Sequence, residues 1–316
     1  MAAPIVVIGS INMDLVCRTH HIPAGGETIL GTDFVTIPGG KGANQAVAAA
    51  KLGGDVHMVG RVGDDDFGQR LLNGLRNHRV NTDHVTVTEG TASGIAQILV
   101  DRRGENAIVV APGANHKLTP ADVDAAEPLI ARAAAVVMQL EVPFDTVVHA
   151  IALCQRLGIY TILDPAPAPA KLPRAMYGVD VFTPNQGEAE VLLGLSGTRT
   201  RTTKKVADPK QIGSALRDRG ARAVVLKLGA KGAMIVGGDG DPSMIRTVKP
   251  FKVKVVDTTA AGDAFTGALA AARAEGMTMP DAVRFANAAG ALCCTGFGAQ
   301  PALPNREAVD RLVRGS

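Results

Sequence analysis

The nine residues Asp257-Thr-Thr-Ala-Ala-Gly-Asp-Ala-Phe265 set a carboxylate, Asp263, where a helix is expected to begin, directly after three residues with little or no side chain. Ala260, Ala261 and Gly262 allow backbone N–H groups to approach a ligand closely, and the first turn of a helix adds partial positive charge. An anion such as a phosphoryl group in transfer fits such a place. A carboxylate beside it is positioned to take a proton from a hydroxyl nucleophile. Asp at a helix start also serves as an N-cap, and on this stretch alone both readings stand.

Four other stretches carry candidate chemistry. Gly9-Ser-Ile-Asn-Met-Asp14 follows a short apolar run, and Asn12 and Asp14, two apart, face the same way on an extended backbone, as a pair that chelates neighbouring hydroxyls would. Pro38-Gly-Gly-Lys-Gly-Ala-Asn44 opens an Ala-rich helical run; Lys41 is followed by Gly42, so this is not a GxxxxGK[ST] phosphate loop, and no GxGxxG dinucleotide fingerprint occurs. In Thr183-Pro-Asn-Gln-Gly-Glu188, Asn185 and Glu188 lie one helical turn apart, and Glu188 suits the water shell of a magnesium ion. The same spacing is that of a capping box. Val225 to Gly232 (VLKLGAKG) runs from a strand into a Gly turn whose backbone can approach a nucleotide, and by itself it also reads as a plain hairpin.

Positioning these groups requires strands that end where the motifs begin. Pro4 to Ile8, Val56 to Val59, Ala134 to Met138, Ile159 to Leu163, Val181 to Thr183 and Ala223 to Leu228 read as strands, as does the alternating Phe251 to Val256. Between them, Gly42 to Leu52, Phe67 to Asn77, Phe144 to Arg156, Gly187 to Leu193, Ile212 to Arg219 and Ala264 to Ala274 read as helices. Strands separated by helices imply an α/β fold, a three-layer sandwich around a mainly parallel sheet. Asp14 to Ile37 and Ser93 to Val110 break the rhythm as hairpins inserted into a domain spanning 1–316. Their four strands would form a small β-sheet lid, whose exposed apolar positions suggest a homodimer through lid contacts. Gly194 to Lys210, rich in Thr, Arg and Lys, reads as a solvated loop.

Composition excludes several function classes. Lys plus Arg is 33 against 30 for Asp plus Glu, and with 8 Phe, 2 Tyr and no Trp there is neither the charge nor the stacking surface of a nucleic-acid binder. No apolar run approaches a membrane span, and the first residues lack a secretory signal pattern. The four cysteines, Cys17, Cys154, Cys293 and Cys294, match no disulfide framework or CxxC site, so a cytoplasmic location is expected. The histidine pair His20-His21 lacks any metal-ligand spacing and reads as solvated.

Taken in order, GSINMD from Gly9, GGKGANQAVAA from Gly39, PGAN from Pro112, MQLE from Met138, DPAPA from Asp164, TPNQGEAE from Thr183, KLGAKG from Lys227, DTTAAGDAF from Asp257 and GAQPALP from Gly298 resemble the ribokinase-like family of carbohydrate kinases over nearly the whole chain. The resemblance implies transfer of the γ-phosphoryl group of ATP to the 5-hydroxyl of D-ribose, with Asp263 as base and the amides of Ala260, Ala261 and Gly262 as anion hole. It implies sugar contacts from Asn12, Met13, Asp14, Gly40, Lys41, Gly42, Ala43, Asn44, Glu141 and Asp263. Nucleotide contacts are implied for Asn185, for Lys227, Leu228, Gly229, Ala230, Lys231 and Gly232, and for Gly262, Asp263 and Asn287.

Glu188 would order Mg²⁺ through water. A potassium ion is implied beside the anion hole, at Asp257, Thr259, Cys293, Gly296, Gly298 and Ala302, mostly through carbonyls. This chain departs from the family pattern twice: Ala302 stands where many members have Ser, and Lys227 stands where a small hydroxyl residue is commoner. Two further readings share the fold: a kinase for 2-deoxyribose or another small sugar or nucleoside, and a sugar-binding module without catalysis.

Overall fold

Continuous apolar runs in the central strands dictate the layering. In β1 (Ile5–Ile8), Ile5 and Val7 join one apolar cluster while Val6 and Ile8 join a second, so both faces of the sheet are buried. The computed structural model describes residues 3–195 and 208–315. After β1 come β2 (Asn12–Arg18), β3 (Asp33–Gly39), α1 (Lys41–Lys51), β4 (Val56–Gly63), α2 (Asp66–Asn77), β5 (Val80–Thr88), β6 (Gly94–Val100) and β7 (Asn106–Ala111). The middle of the chain supplies α3 (Pro120–Ala125), α4 (Glu127–Ile130), β8 (Ala135–Met138), α5 (Phe144–Leu157), β9 (Thr161–Leu163), β10 (Val181–Phe182) and α6 (Gln186–Leu192). The last third adds α7 (Pro209–Arg217), β11 (Ala223–Lys227), β12 (Ala233–Val236), β13 (Ile245–Val248), α8 (Ala261–Ala274), α9 (Met279–Cys293) and α10 (Arg306–Arg314).

The main sheet has the order β13-β12-β11-β10-β9-β8-β1-β4-β5, parallel from β11 through β5 and antiparallel at β11-β12-β13. Helices α1, α8 and α9 pack on one face, and α5, α6 and α7 on the other, which is the expected three-layer α/β sandwich. A second sheet, β3-β2-β6-β7, is formed by the two inserted stretches; its outer pairs are antiparallel and its central pair, β2 with β6, is parallel. Phe34, Ile108, Val109 and Val110 on this sheet are exposed. No described helix is long and apolar enough to cross a membrane.

One expected strand is not formed. Phe251 to Val256 is irregular, with Val255 and Val256 exposed, and the amides of Val256 and Asp257 both donate to the Cys294 carbonyl rather than to a ladder. The sheet edge is instead β13, which lies just before Pro250. Alternation signals a strand only where a neighbouring strand is there to pair with, and this stretch lies beyond the last one. Residues 196–207 of the expected Thr/Arg/Lys-rich loop lie outside the described residues.

Candidate active site

Asp263 is not an N-cap. The cap position of α8 is Ala260, held in the left-handed region at φ 58°, and Asp263 sits in the first turn with its side chain turned into the protein. Its Oδ2 accepts from the Asn44 side chain at 2.9 Å and its Oδ1 from the Gln45 amide at 3.1 Å. Burial pushes the carboxyl above the ordinary carboxylate range, with Lys41 opposing and Asp164 adding to the rise. The Gly262 amide meets no acceptor among the described residues, whereas the Ala261 amide makes a long 3.3 Å bond to the Thr258 carbonyl.

Gln45 ties this carboxylate to a second one. Its Nε2 also donates to Asp164 Oδ2 at 3.1 Å, while its Oε1 accepts from Gln139 at 2.7 Å. Asp164, only 2% exposed, further accepts from the Thr266 hydroxyl and holds the Lys227 ammonium at 3.0 and 3.1 Å. A helix-facing glycine makes this convergence possible: a Cβ on Gly267 would meet the Gln45 carbonyl at 2.5 Å, so α8 rests directly on α1.

Glu141 follows β8 and accepts from the Ser10 hydroxyl at 2.5 Å and the Lys41 amide at 3.1 Å. Burial alone would lower the Lys41 pKa, but the Asp263, Glu141, Asp164 and Glu188 carboxylates outweigh it and hold the ammonium above its ordinary value. Gly40 enters α1 at φ 87°, and a Cβ on Gly42 would stand 2.6 Å from the Ser10 amide, so the first turn of α1 lies against the β1–β2 turn. Asn12 and Asp14 are both buried at the start of β2, as is Met13 between them. Asn12 Oδ1 accepts from Asn115 at 2.6 Å, and Asn115 also accepts from the Ile11 amide, fixing the turn. Burial, with Glu141 and Asp263 close by, pushes the Asp14 carboxyl up to about 7, against the pull of Lys41.

Asn185 and Glu188 do form the capping box of α6, with bonds of 2.9 and 2.7 Å. That box leaves Glu188 Oε1 without a hydrogen bond among the described residues, and burial raises the group while Lys227 opposes and Asp164 adds. The turn after β11 is a 3₁₀ segment, Gly229–Lys231, with Gly229 and Gly232 both at positive φ, and Leu228 and Ala230 within the same turn. Asn287 on α9 holds the nearby chain through the Val248 and Lys249 carbonyls.

Asp257 organises the loop before α8. It accepts from the Thr259 amide and hydroxyl at 2.9 and 2.7 Å and from the Gly298 amide at 2.9 Å. The Cys293 thiol, pushed up to about 12 by burial, reaches the Thr259 carbonyl at 3.5 Å, and a Cβ on Gly296 would meet Ala302 at 3.0 Å.

Several residues of this constellation were not singled out from the sequence. Gln45, Asp164 and Asn115 lay inside the GGKGANQA, DPAPA and PGAN stretches, but polar residues there have no spacing that announces a role. Ser10 likewise lay unremarked inside the GSINMD stretch, and Thr266 lay outside every motif.

The family model described as pfkB family carbohydrate kinase matches residues 2–306, and the chain belongs to that family. The protein is thus a sugar kinase that uses ATP. Its relatives within the family include ribokinases and deoxyribokinases. The ribokinase of Bacillus subtilis is 41% identical over 309 residues, covering 98% of this chain and 99% of that protein. The structure of Arabidopsis thaliana ribokinase complexed with ribose and ATP aligns over 100% of both chains with a TM-score of 0.86 and 32% identity. A deoxyribokinase of Salmonella typhi is 36% identical over 304 residues, 96% of each chain.

Proposed function

We propose that this kinase phosphorylates D-ribose at its 5-hydroxyl, with Asp263 as general base. The observation that carries this reading is the setting of Asp263: buried, oriented by Asn44 and Gln45, and one residue from an unengaged amide at a helix N-terminus. In the transfer, the sugar oxygen gives its proton to Asp263 and forms a bond to the γ-phosphorus as the bond from that phosphorus to the ADP oxygen breaks. The amides of Ala260, Ala261 and Gly262 face the charge that moves across. A raised carboxyl pKa brings the base closer to the working pH, which favours proton transfer.

On the acceptor side, Asp14, Asn12, Glu141 and the Gly40–Asn44 segment line the cleft that a pentose would occupy. Asn115 engages the Asn12 carbonyl oxygen, which leaves the Asn12 amide N–H groups to donate to a sugar hydroxyl. The nucleotide would lie along the Lys227–Gly232 turn, with Asn185 and Asn287 at its borders. Glu188 suits a magnesium-bound water through its unengaged oxygen. Asp257, with the carbonyls of Thr259, Cys293, Gly296 and Gly298, offers an oxygen-rich loop for a monovalent cation, and Ala302 adds no hydroxyl to it. The small sheet, rooted in the sugar site through β2, would serve as a lid that excludes water. Its exposed apolar residues suit a second copy of the chain. Free thiols at all four cysteines fit a cytoplasmic setting.

The test is a panel of ribose, 2-deoxyribose and adenosine with ATP and Mg²⁺, read by ADP release and by NMR of the product. Ribose 5-phosphate from the fastest acceptor supports the reading, whereas a faster rate with 2-deoxyribose or adenosine, or a phosphate at another carbon, overturns it.

A further inference from the structure

Lys227 has a more particular setting than a nucleotide contact requires. It ends β11 with its side chain 12% exposed, and its Nζ bonds both oxygens of Asp164, itself 2% exposed. A Cβ built on Gly262 would lie 3.5 Å from that nitrogen, which places the ammonium alongside the first turn of α8. An ammonium has three N–H groups, and Asp164 takes two of them. Asp164 is in turn fixed by Gln45 and Thr266, so the cation is held with little freedom. Lys41, the other buried cation here, has its amide bonded to Glu141, and its ammonium is shared among the Asp263, Glu141, Asp164 and Glu188 carboxylates rather than paired with Asp164 alone.

We infer that Lys227 donates its remaining N–H to the phosphoryl group in flight, as a catalytic residue of the transfer, and that Asp164 is the positioning residue that aims it. The inference rests on the proposed anion hole at α8 but not on the identity of the acceptor. A fixed cation in a water-poor cleft is effective because it needs no reorganisation as charge shifts toward the leaving oxygen. Asp164 offsets the cost of keeping that cation buried between turnovers. Such a group acts more on the transition state than on bound ATP, so its loss falls on kcat rather than KM.

The experiment compares Lys227→Met, Lys227→Arg and the double variant Lys227→Met/Asp164→Asn, using the fastest acceptor of the wild-type panel. Removing the ammonium is expected to lower kcat by ~10²-fold, as loss of one oxyanion donor does. KM for ATP should stay within about threefold. The affinity for ADP with aluminium fluoride and acceptor should fall along with kcat while that for ADP alone does not. Lys227→Met leaves Asp164 buried without its partner and melts lower; the double variant removes both charges, recovers the melting temperature and remains slow. A double variant with wild-type kcat overturns the inference. So does an equal loss of affinity for ADP and for the aluminium fluoride complex, which would mark a role in ground-state binding. If ribose is not the fastest acceptor, the ribose reading fails, and the comparison among variants is unaffected.

Discussion

Asp14 shows how a single carboxylate links the site to stability. Its folded pKa of about 7 lies above the ~3.9 of an unfolded chain, so between those values the folded state binds the extra proton. The contribution therefore runs against the fold as pH rises: nothing is lost below ~4, stability falls from there to about 7, and the loss is constant above. Asp14→Asn, which removes the titration, should stabilise the ligand-free protein at pH 8 by on the order of 2–4 kcal/mol and change little at pH 4. Denaturant melts at the two pH values check this, and equal effects at both would refute it. The same variant should bind sugar more weakly by about tenfold or more, since a charge-assisted bond is lost. Of the residues gathered here, Asn12, Asp14, Lys41, Glu188 and Asp263 were legible because their type and spacing within a motif suit a ligand or a base. Gln45 was not, because a single amide shared by Asp263 and Asp164 joins residues more than a hundred positions apart.

At the scale of elements, the close contact of α1 with α8 decides whether Asp263 meets Asn44 and Gln45. Gly267→Ala would put a methyl 2.5 Å from the Gln45 carbonyl, which is backbone and cannot swing aside. The two helices must separate, at a cost of about 1–3 kcal/mol in stability. Turnover should fall as well, because the same shift moves the base relative to its two donors. Thermal melts and steady-state rates measured together test this; a variant that melts lower but keeps full kcat would show that the helix contact does not set the base. The sequence announced α1 and α8 through their small, helix-forming residues. It misled at Phe251–Val256, where β-branched alternation was present but no strand lay alongside. It was silent on β5, an edge strand rich in polar residues, on α9, whose buried side chains lie on several sides, and on α10, a mostly polar helix that fully buries Val309 alone.

The whole molecule adds what no local pattern carries, namely strand order and association. Parallel β1 lies between β4 and β8, and that pairing is set by crossovers longer than any sequence motif. The two-sheet division was legible, because the inserted stretches interrupt the βα rhythm. Phe34, at 60% exposure on edge strand β3, and Val109, at 70% on the opposite edge strand β7, lie on the same face of the small sheet. If a second copy covers it, Phe34→Glu/Val109→Glu should convert a dimer to monomer in light scattering coupled to gel filtration, with the fold intact by circular dichroism. An unchanged mass would remove the small sheet as the interface. The most direct test of the central claim is turnover by Asp263→Asn, with sugar affinity followed by calorimetry in parallel. The variant should lose ~10²-fold or more in kcat with ribose binding within a few-fold of wild type, as expected for a missing general base. Near-wild-type turnover in a variant that still binds sugar would contradict it.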